Sequence, residues 1–175
     1  MDVDSPLANK RTDQYGGSFA NRIRFLLETF DAVREVWPER LPLTVRLSVT
    51  DWIDGGVTLD ESIELTRRLK TAGLDLLDVS QGFVTPDISA IPWGPGMMLP
   101  FAGRIRAEAQ IPTTASWMIT EPVQAEAAIH NGQVDIVTLG REMLRDPYWP
   151  YHAAKRLGAE GAHEILPVQY ARAAK

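Results

Sequence analysis

The spacing of hydrophobic residues changes several times along the chain between the period of a helix and that of a strand. These changes predict one helix followed by four strand–helix units. Apolar residues recur at helical spacing from about Ser18, a candidate N-cap, to Trp37, and Pro38 ends the segment. Four short, β-branched apolar runs follow, and each leads into a helical pattern. The predicted strands are 43–49, 74–80, 111–117 and 134–139, and the predicted helices are 58–73, 99–109, 120–132 and a segment from 141.

This order of elements predicts an α/β fold with a parallel sheet, because each strand is followed by a helix. Four units are too few for a closed (β/α)₈ barrel, and four parallel strands alone leave two unpaired edges and one open face. We therefore expect a parallel (βα)₄ sheet that needs a partner. The predicted division is a polar N-terminal loop at 1–17, the (βα)₄ unit at 18–158 and a C-terminal tail at 159–175.

Two threonines are candidate helix caps. Thr58 and Glu61 form the T-x-x-E pattern of a capping box, which predicts the start of a helix that closes at Gly73. Thr120 is predicted to cap the next but one helix, which ends near Asn131. Both caps predict that the helices begin directly at these positions.

A candidate anion site follows the last predicted strand, which turns at Gly140 into a helix beginning at Arg141. Glycine lets a ligand approach the main chain, a helix N-terminus favours negative charge, and arginine adds a planar cation. The alternative is an ordinary turn with a solvated arginine. Because the carboxyl ends of parallel strands meet at one edge, other polar or small residues should converge there, which favours a phosphate site. They are Ser80, Gln81, Gly82, Ser116 and Trp117.

Composition excludes several classes of function. The 175 residues are 45% hydrophobic and carry a net charge of −5, as in an ordinary globular domain, which argues against nucleic acid or an anionic membrane as the main partner. Cysteine is absent, so a disulfide framework and a thiolate metal site are excluded, and we expect no metal. The polar start, MDVDSPLANK, is unlike a signal peptide, and no run is long enough to span a membrane. We expect a cytoplasmic protein.

Several segments resemble the old yellow enzyme family, most closely its xenobiotic-reductase and YqjM-like branch. They are SPLANKRTDQYGGSFANRIRFLLE, TVRLSVTDW, LDLLDVSQG, TLGREMLRDPYWPYHAAKRLG and the closing YAR. The resemblance implies an FMN-binding (β/α)₈ barrel that takes hydride from NAD(P)H and delivers it to an activated C=C bond. Only the second half of that barrel is matched, which implies a half-barrel here.

The resemblance also implies roles for residues around the flavin. Arg46 matches a strand arginine that faces the N1/O2 edge of the flavin, and Ser80 is placed in the same cofactor site. The alternative for Arg46 is an interior arginine paired with a carboxylate such as Asp78. Gly140 and Arg141 match the pair that binds the FMN phosphate.

Two further segments are matched. Ala115, Ser116 and Trp117 correspond to the second phosphate-side loop and to an active-site tryptophan, although core packing is the alternative for Trp117. Arg172 matches a C-terminal arginine that reaches into the active site of a neighbouring subunit in YqjM-like dimers. The alternative for Arg172 is a solvated residue in a frayed tail.

The catalytic groups of the family lie in the half that this chain does not match. These are its substrate-anchoring His/His or His/Asn pair and its proton-donating tyrosine. The three histidines present, His130, His152 and His163, are predicted to be surface or capping residues. We therefore predict no catalytic residue, and whether this chain is an enzyme by itself stays open.

Three hypotheses follow for function. The chain is the C-terminal half of an ene-reductase, active on small enone-type substrates only with a complementary N-terminal half. Alternatively, it pairs with a second copy of itself and binds FMN or phosphate without turnover. The third alternative is an inactive fragment.

Overall fold

The computed structural model describes residues 3–84 and 86–173, which form a four-stranded parallel sheet with helices on one side. Neighbouring strands follow each other in the chain, in the order β1-β2-β3-β4. The strands are β1 (Thr44–Ser48), β2 (Leu76–Ser80), β3 (Thr113–Ala115) and β4 (Ile136–Val137). The parallel (βα)₄ prediction is confirmed. The strands are shorter than the apolar runs because residues such as Val134, which is 1% exposed, pack into the core before the ladder begins.

The helices alternate with the strands. Ser18 is the N-cap of the first, where its side chain accepts a hydrogen bond from the N–H of Asn21, and the predicted helix 18–37 divides in two at Ile23. No helix in the ranges described combines the length and apolarity that a membrane crossing needs. The helices are α1 (Phe19–Arg22), α2 (Arg24–Val36), α3 (Leu59–Thr71), α4 (Leu99–Ile105) with a π-helical turn (Arg106–Gln110), α5 (Pro122–His130), α6 (Arg141–Arg145), α7 (Trp149–Arg156), a 3₁₀ turn (Ala162–Ile165) and α8 (Val168–Ala171).

One of the two threonine caps is present. Thr58 Oγ1 accepts the N–H of Glu61 at 3.2 Å and starts α3, as predicted. Thr120 does not cap α5, and this prediction is wrong: the helix begins at Pro122, and the N–H of Thr120 donates to Gln124 Oε1 at 3.2 Å. Proline at the first helical turn presets the helical φ and has no N–H to be satisfied, so the start moves to it.

The hydrophobic core lies between the sheet and the helices. Leu47, Leu77 and Val79 of the strands pack there with Ile63 and Leu69 of α3, and all are at most 7% exposed. Side chains alternate along a strand, so the residues between them belong to the other face of the sheet. That face is open at both edge strands, as the strand count predicts.

The open face carries residues in register across all four strands. Arg46 of β1 is aligned with Asp78 of β2, Asp78 with Thr114 of β3, and Thr114 with Ile136 of β4. The Arg46 side chain is 54% exposed and Ile136 is 52% exposed. An exposed isoleucine and an exposed arginine on the same face, at opposite edges of the sheet, indicate a surface that another element would cover.

The predicted terminal loop and tail are more ordered than their composition suggests. Ser5 is fully buried, and its Oγ donates to Asp51 Oδ2 at 2.7 Å. Asn9 Nδ2 donates to the carbonyl of Tyr15 at 2.7 Å, which closes the loop on itself. The tail contains the 3₁₀ turn and α8. The division into a loop at 1–17 and a tail at 159–175 stays a prediction.

Candidate functional site

A cleft of about 480 Å³ opens at the carboxyl edge of the sheet, between the turns that follow β3 and β4. It brings together four of the predicted site residues, Ser116, Trp117, Gly140 and Arg141. They converge because parallel strands place their carboxyl ends side by side. The remaining lining consists of Pro95, Met118, Ile119, Thr120, Thr138, Leu139, Glu142 and Arg145.

Arg141 is the cation available to a ligand in this cleft. Its exposed guanidinium forms no hydrogen bond or ion pair with any residue in the described part of the chain. Glu142 and Arg145 also line the cleft, but they pair with each other. Gly140 leaves the main chain open, because a Cβ at this position would meet no atom within 4 Å. Since α6 has only five residues, attraction for an anion rests on the guanidinium rather than on the helix dipole.

Two threonines join the strands below the cleft. Thr114 Oγ1 and Thr138 Oγ1 are 2.5 Å apart, and the N–H of Thr138 donates to the carbonyl of Ala115 at 3.0 Å. Ala115 itself is fully buried in the core. Its methyl group points away from the open face and its carbonyl accepts from Thr138, and its contact with the cofactor stays a prediction. The sequence analysis did not single out Thr138. The signal that could have identified it is the alternation along the predicted strand, which places Ile136 and Thr138 on the same face.

Arg46 lies on the open face and uses two partners on β2. Its Nη1 is 3.0 Å from Asp78 Oδ2, and its Nη2 donates to Ser80 Oγ at 2.9 Å. The same Ser80 oxygen accepts from Trp117 Nε1 at 3.4 Å. Ser80 therefore connects the strand arginine to the wall of the cleft. Pairing with Asp78, the alternative considered for Arg46, is present.

Asp78 is a carboxyl group held largely out of water. Burial raises the pKa of Asp78, and the charge of Arg46 opposes that shift. Its Oδ1 is buried and has no hydrogen-bond partner among the described residues. The Arg46 guanidinium thus pairs with one of the two carboxyl oxygens of Asp78.

Trp117 stands at a strained turn. Its φ is 75° and that of the following Met118 is 57°, in the left-handed region that non-glycine residues rarely adopt. Such positions cost about 1–3 kcal/mol each and persist where the surroundings determine them. The carbonyl of Trp117 accepts the N–H of Gly96 at 3.0 Å, and its ring contacts Phe83 and Trp93. Sequence reasoning missed Phe83 and Trp93, because their Pro- and Gly-rich loop has no periodicity.

Other predicted residues lie away from this cleft. Arg172 is exposed after α8, does not line the cleft, and has no partner among residues 3–84 and 86–173. Its reach into a neighbouring subunit stays a prediction. His152 Nδ1 is 2.6 Å from Asp146 Oδ2, and neither it nor His130 or His163 lines the cleft. No group of three metal-ligating side chains occurs in the described ranges.

Sequence comparison identifies close relatives. A sequence model of the NADH:flavin oxidoreductase / NADH oxidase family matches residues 4–160. The chain is 51% identical over 168 residues to an NADPH dehydrogenase of Geobacillus thermodenitrificans (strain NG80-2), covering 96% of this chain and 47% of that protein. It is 47% identical over 172 residues to an NADPH dehydrogenase of Bacillus licheniformis, covering 97% of this chain and 48% of that protein. The chain thus spans about half the length of these relatives.

Solved structures give the same result for the fold. A 2-naphthoyl-CoA reductase complex matches 90% of this chain and 24% of that chain, with a TM-score of 0.78 and 33% identity. Morphinone reductase in complex with tetrahydroNAD matches 90% of this chain and 40% of that chain, with a TM-score of 0.67 and 27% identity. The predicted correspondence to half of a (β/α)₈ barrel is confirmed. The chain belongs to the NADH:flavin oxidoreductase / NADH oxidase family, the old yellow enzyme family, which uses FMN with NAD(P)H as reductant.

Proposed function

We propose that this chain is the FMN-binding C-terminal half of an NAD(P)H-dependent ene-reductase, and that reduction of activated C=C bonds requires a complementary N-terminal half. The observation that carries the proposal is the guanidinium of Arg141, which has no partner among the described residues, beside the open main chain of Gly140. It is supported by the length match to NADPH dehydrogenases, of which this chain spans about half.

The cleft has the chemistry that a phosphate group needs. Arg141 supplies a planar set of N–H donors that bond to no acceptor in the described part of the chain, and Ser116 and Thr138 add hydroxyl groups nearby. Gly140 has room for a phosphate against the main chain, since nothing lies within 4 Å of its Cβ position. The residues present therefore fit the phosphate end of FMN.

Arg46, Ser80 and Trp117 would hold the ring of the cofactor. FMN, when bound, accepts hydride from the nicotinamide and passes it to the substrate. Arg46 places a fixed cation on the open face, where it would stabilise negative charge on the ring. Trp117 adds an aromatic wall to the cleft.

The exposed side of the sheet supports the need for a second chain. β1 and β4 are the edges of the sheet that the described residues form, and the face between them is polar at Arg46 and Asp78 and apolar at Ile136. A complementary half would extend both edges and cover the face. Pairing with a second copy would also cover them, and it would give FMN binding without the catalytic groups of the other half.

The first experiment measures FMN binding by the purified chain and by Arg141→Gln. We expect the substitution to weaken FMN binding by about 1–3 kcal/mol, as for loss of a charge-assisted hydrogen bond. Arg40→Gln, a change at an exposed arginine outside the cleft, is the matched control. Equal FMN affinity for wild type and Arg141→Gln would show that Arg141 does not contribute to FMN binding.

A second experiment separates the hypotheses on assembly. Size-exclusion chromatography would follow protein and flavin absorbance, with FMN present, for the chain alone and mixed with the N-terminal half of an NADPH dehydrogenase relative. We expect NADPH-dependent reduction of an enone only in the mixture. Turnover by the chain alone would contradict the need for a partner. A yellow dimer without turnover, unchanged by the second half, would favour self-pairing.

A further inference from the structure

We propose that Phe83 and Trp93 are positioning residues that fix the indole of Trp117 in the wall of the cleft. The proposal rests on the proposed function in that Trp117 is taken to face the flavin. Phe83 and Trp93 belong to the long segment between β2 and α4, and neither lines the cleft itself. Their effect on a ligand would therefore pass through Trp117.

The three rings form a closed set of contacts. The ring centroids of Phe83 and Trp117 are 5.8 Å apart, and those of Trp93 and Trp117 are 6.0 Å apart. Phe83 and Trp93 stack on each other at 6.2 Å with an angle of 20° between their planes. These distances lie in the range where aromatic pairs attract. The stacked pair thus forms one surface that contacts the indole of Trp117.

Exposure indicates that the pair has a role other than filling the core. Phe83 is 56% exposed and Trp93 is 46% exposed, although both are large aromatic residues. Neither is part of the hydrophobic core, whereas Trp117 is partly buried and packs against it. The favourable contacts of the pair are therefore directed toward Trp117.

The backbone of Trp117 needs external support. Its φ of 75° and the 57° of Met118 are left-handed, so the turn itself does not favour this conformation. The N–H of Gly96 donates to the Trp117 carbonyl at 3.0 Å. Gly96 lies in the same segment as Phe83 and Trp93. One segment thus holds both the backbone and the ring of Trp117, while Ser80 Oγ accepts from Nε1 at 3.4 Å.

This arrangement predicts two separable contributions to flavin binding. Arg141 would act on the phosphate, which FMN has and riboflavin lacks. The Trp117 wall would act on the ring, which both ligands share. Loss of the contacts that hold the indole should therefore weaken the binding of FMN and riboflavin to the same extent, whereas Arg141→Gln should weaken the binding of FMN alone.

The experiment uses the chain labelled with 5-fluorotryptophan, whose five tryptophans each give a ¹⁹F signal. Trp117→Phe assigns the signal of Trp117. In the double variant Phe83→Leu/Trp93→Leu, we expect this signal to broaden and shift while those of Trp37 and Trp149 stay in place. FMN and riboflavin should each bind about fivefold more weakly, the equivalent of one aromatic pair contact. Trp37→Leu, an exposed site at the end of α2, is the control. The conservative variant Trp93→Phe keeps an aromatic ring and should retain the wild-type Trp117 signal and both flavin affinities.

Each outcome decides the proposal. An unchanged Trp117 signal in the double variant, or a loss of affinity for FMN without a loss for riboflavin, would overturn it. If every signal collapses and the double variant is unfolded, the milder Phe83→Leu and Trp93→Phe variants are compared, and Phe83→Leu must shift the Trp117 signal more. If wild type binds no flavin, the proposed function fails, and the ¹⁹F signal alone still decides whether the pair positions Trp117.

Discussion

Arg46 and Asp78 face each other in register across β1 and β2, with Nη1 3.0 Å from Oδ2. The carboxyl side chain is 19% exposed and the guanidinium side chain 54% exposed, so one partner is partly desolvated and the other is not. Burial, the larger effect, raises the pKa of Asp78 in spite of the neighbouring cation. The carboxyl therefore binds its proton more tightly in the folded chain than in the unfolded one.

This difference predicts how Asp78→Asn changes stability with pH. A raised folded pKa means that the stability from Asp78 is fully present below the ordinary value of 3.8 and is lost as pH rises through the raised pKa. Asparagine does not titrate. The unfolding free energy of the variant minus that of wild type should therefore increase over this pH range and then become constant, as measured by urea unfolding at a series of pH values.

The control for this change is Asp31→Asn, at an exposed acid on α2. Its unfolding curves supply the baseline for removing an exposed carboxylate. A difference for Asp78→Asn that falls as pH increases would mean that Arg46, rather than burial, dominates the environment of the carboxyl group. A flat difference would mean that the two effects cancel, and it would also contradict the prediction.

The two threonines that share a predicted capping role should respond differently to alanine. Thr58→Ala removes the acceptor for the N–H of Glu61 and should lower the unfolding free energy by about 1 kcal/mol. Thr120→Ala is the matched control and should have little effect, because Thr120 contributes only its backbone N–H, which alanine retains. Chemical unfolding of both variants tests this, and equal losses would show that Thr120 caps α5 after all.

Ser5 should matter to stability although it lies in a segment of loop composition. Ser5→Ala deletes the donor to Asp51 Oδ2, and the other oxygen of that buried carboxylate has no partner among the residues described. We expect a loss of about 1–3 kcal/mol in unfolding free energy. Trypsin should also cut faster at Lys10 and Arg11, which are exposed.

Ser89→Ala, at an exposed position in the segment after β2, serves as the comparison. If it destabilises the chain as much as Ser5→Ala does, the buried bond to Asp51 does not anchor the N-terminal segment.

The site was predicted in part, and the reason differs from residue to residue. Ser116, Gly140 and Arg141 were placed together because the carboxyl ends of parallel strands must meet, whatever the details of packing. Ala115 was predicted from the sequence to lie in the same site, and the alternation of side chains turns its methyl group into the core. Thr120 was placed wrongly because Pro122, two residues on, starts the helix. The error at Thr120 arises because two local signals for a helix start compete.

The sequence by itself determined the order of strands and helices, the parallel sheet and the residues at its carboxyl edge. These features depend on hydrophobic period and chain direction, which are local. Only the tertiary structure decided that Arg46 has a partner 32 residues away while Arg141 has none among the residues described. It also decided that Phe83 and Trp93 lie on Trp117. Such contacts join segments distant in the chain, and their geometry is fixed only when the sheet and its loops pack together.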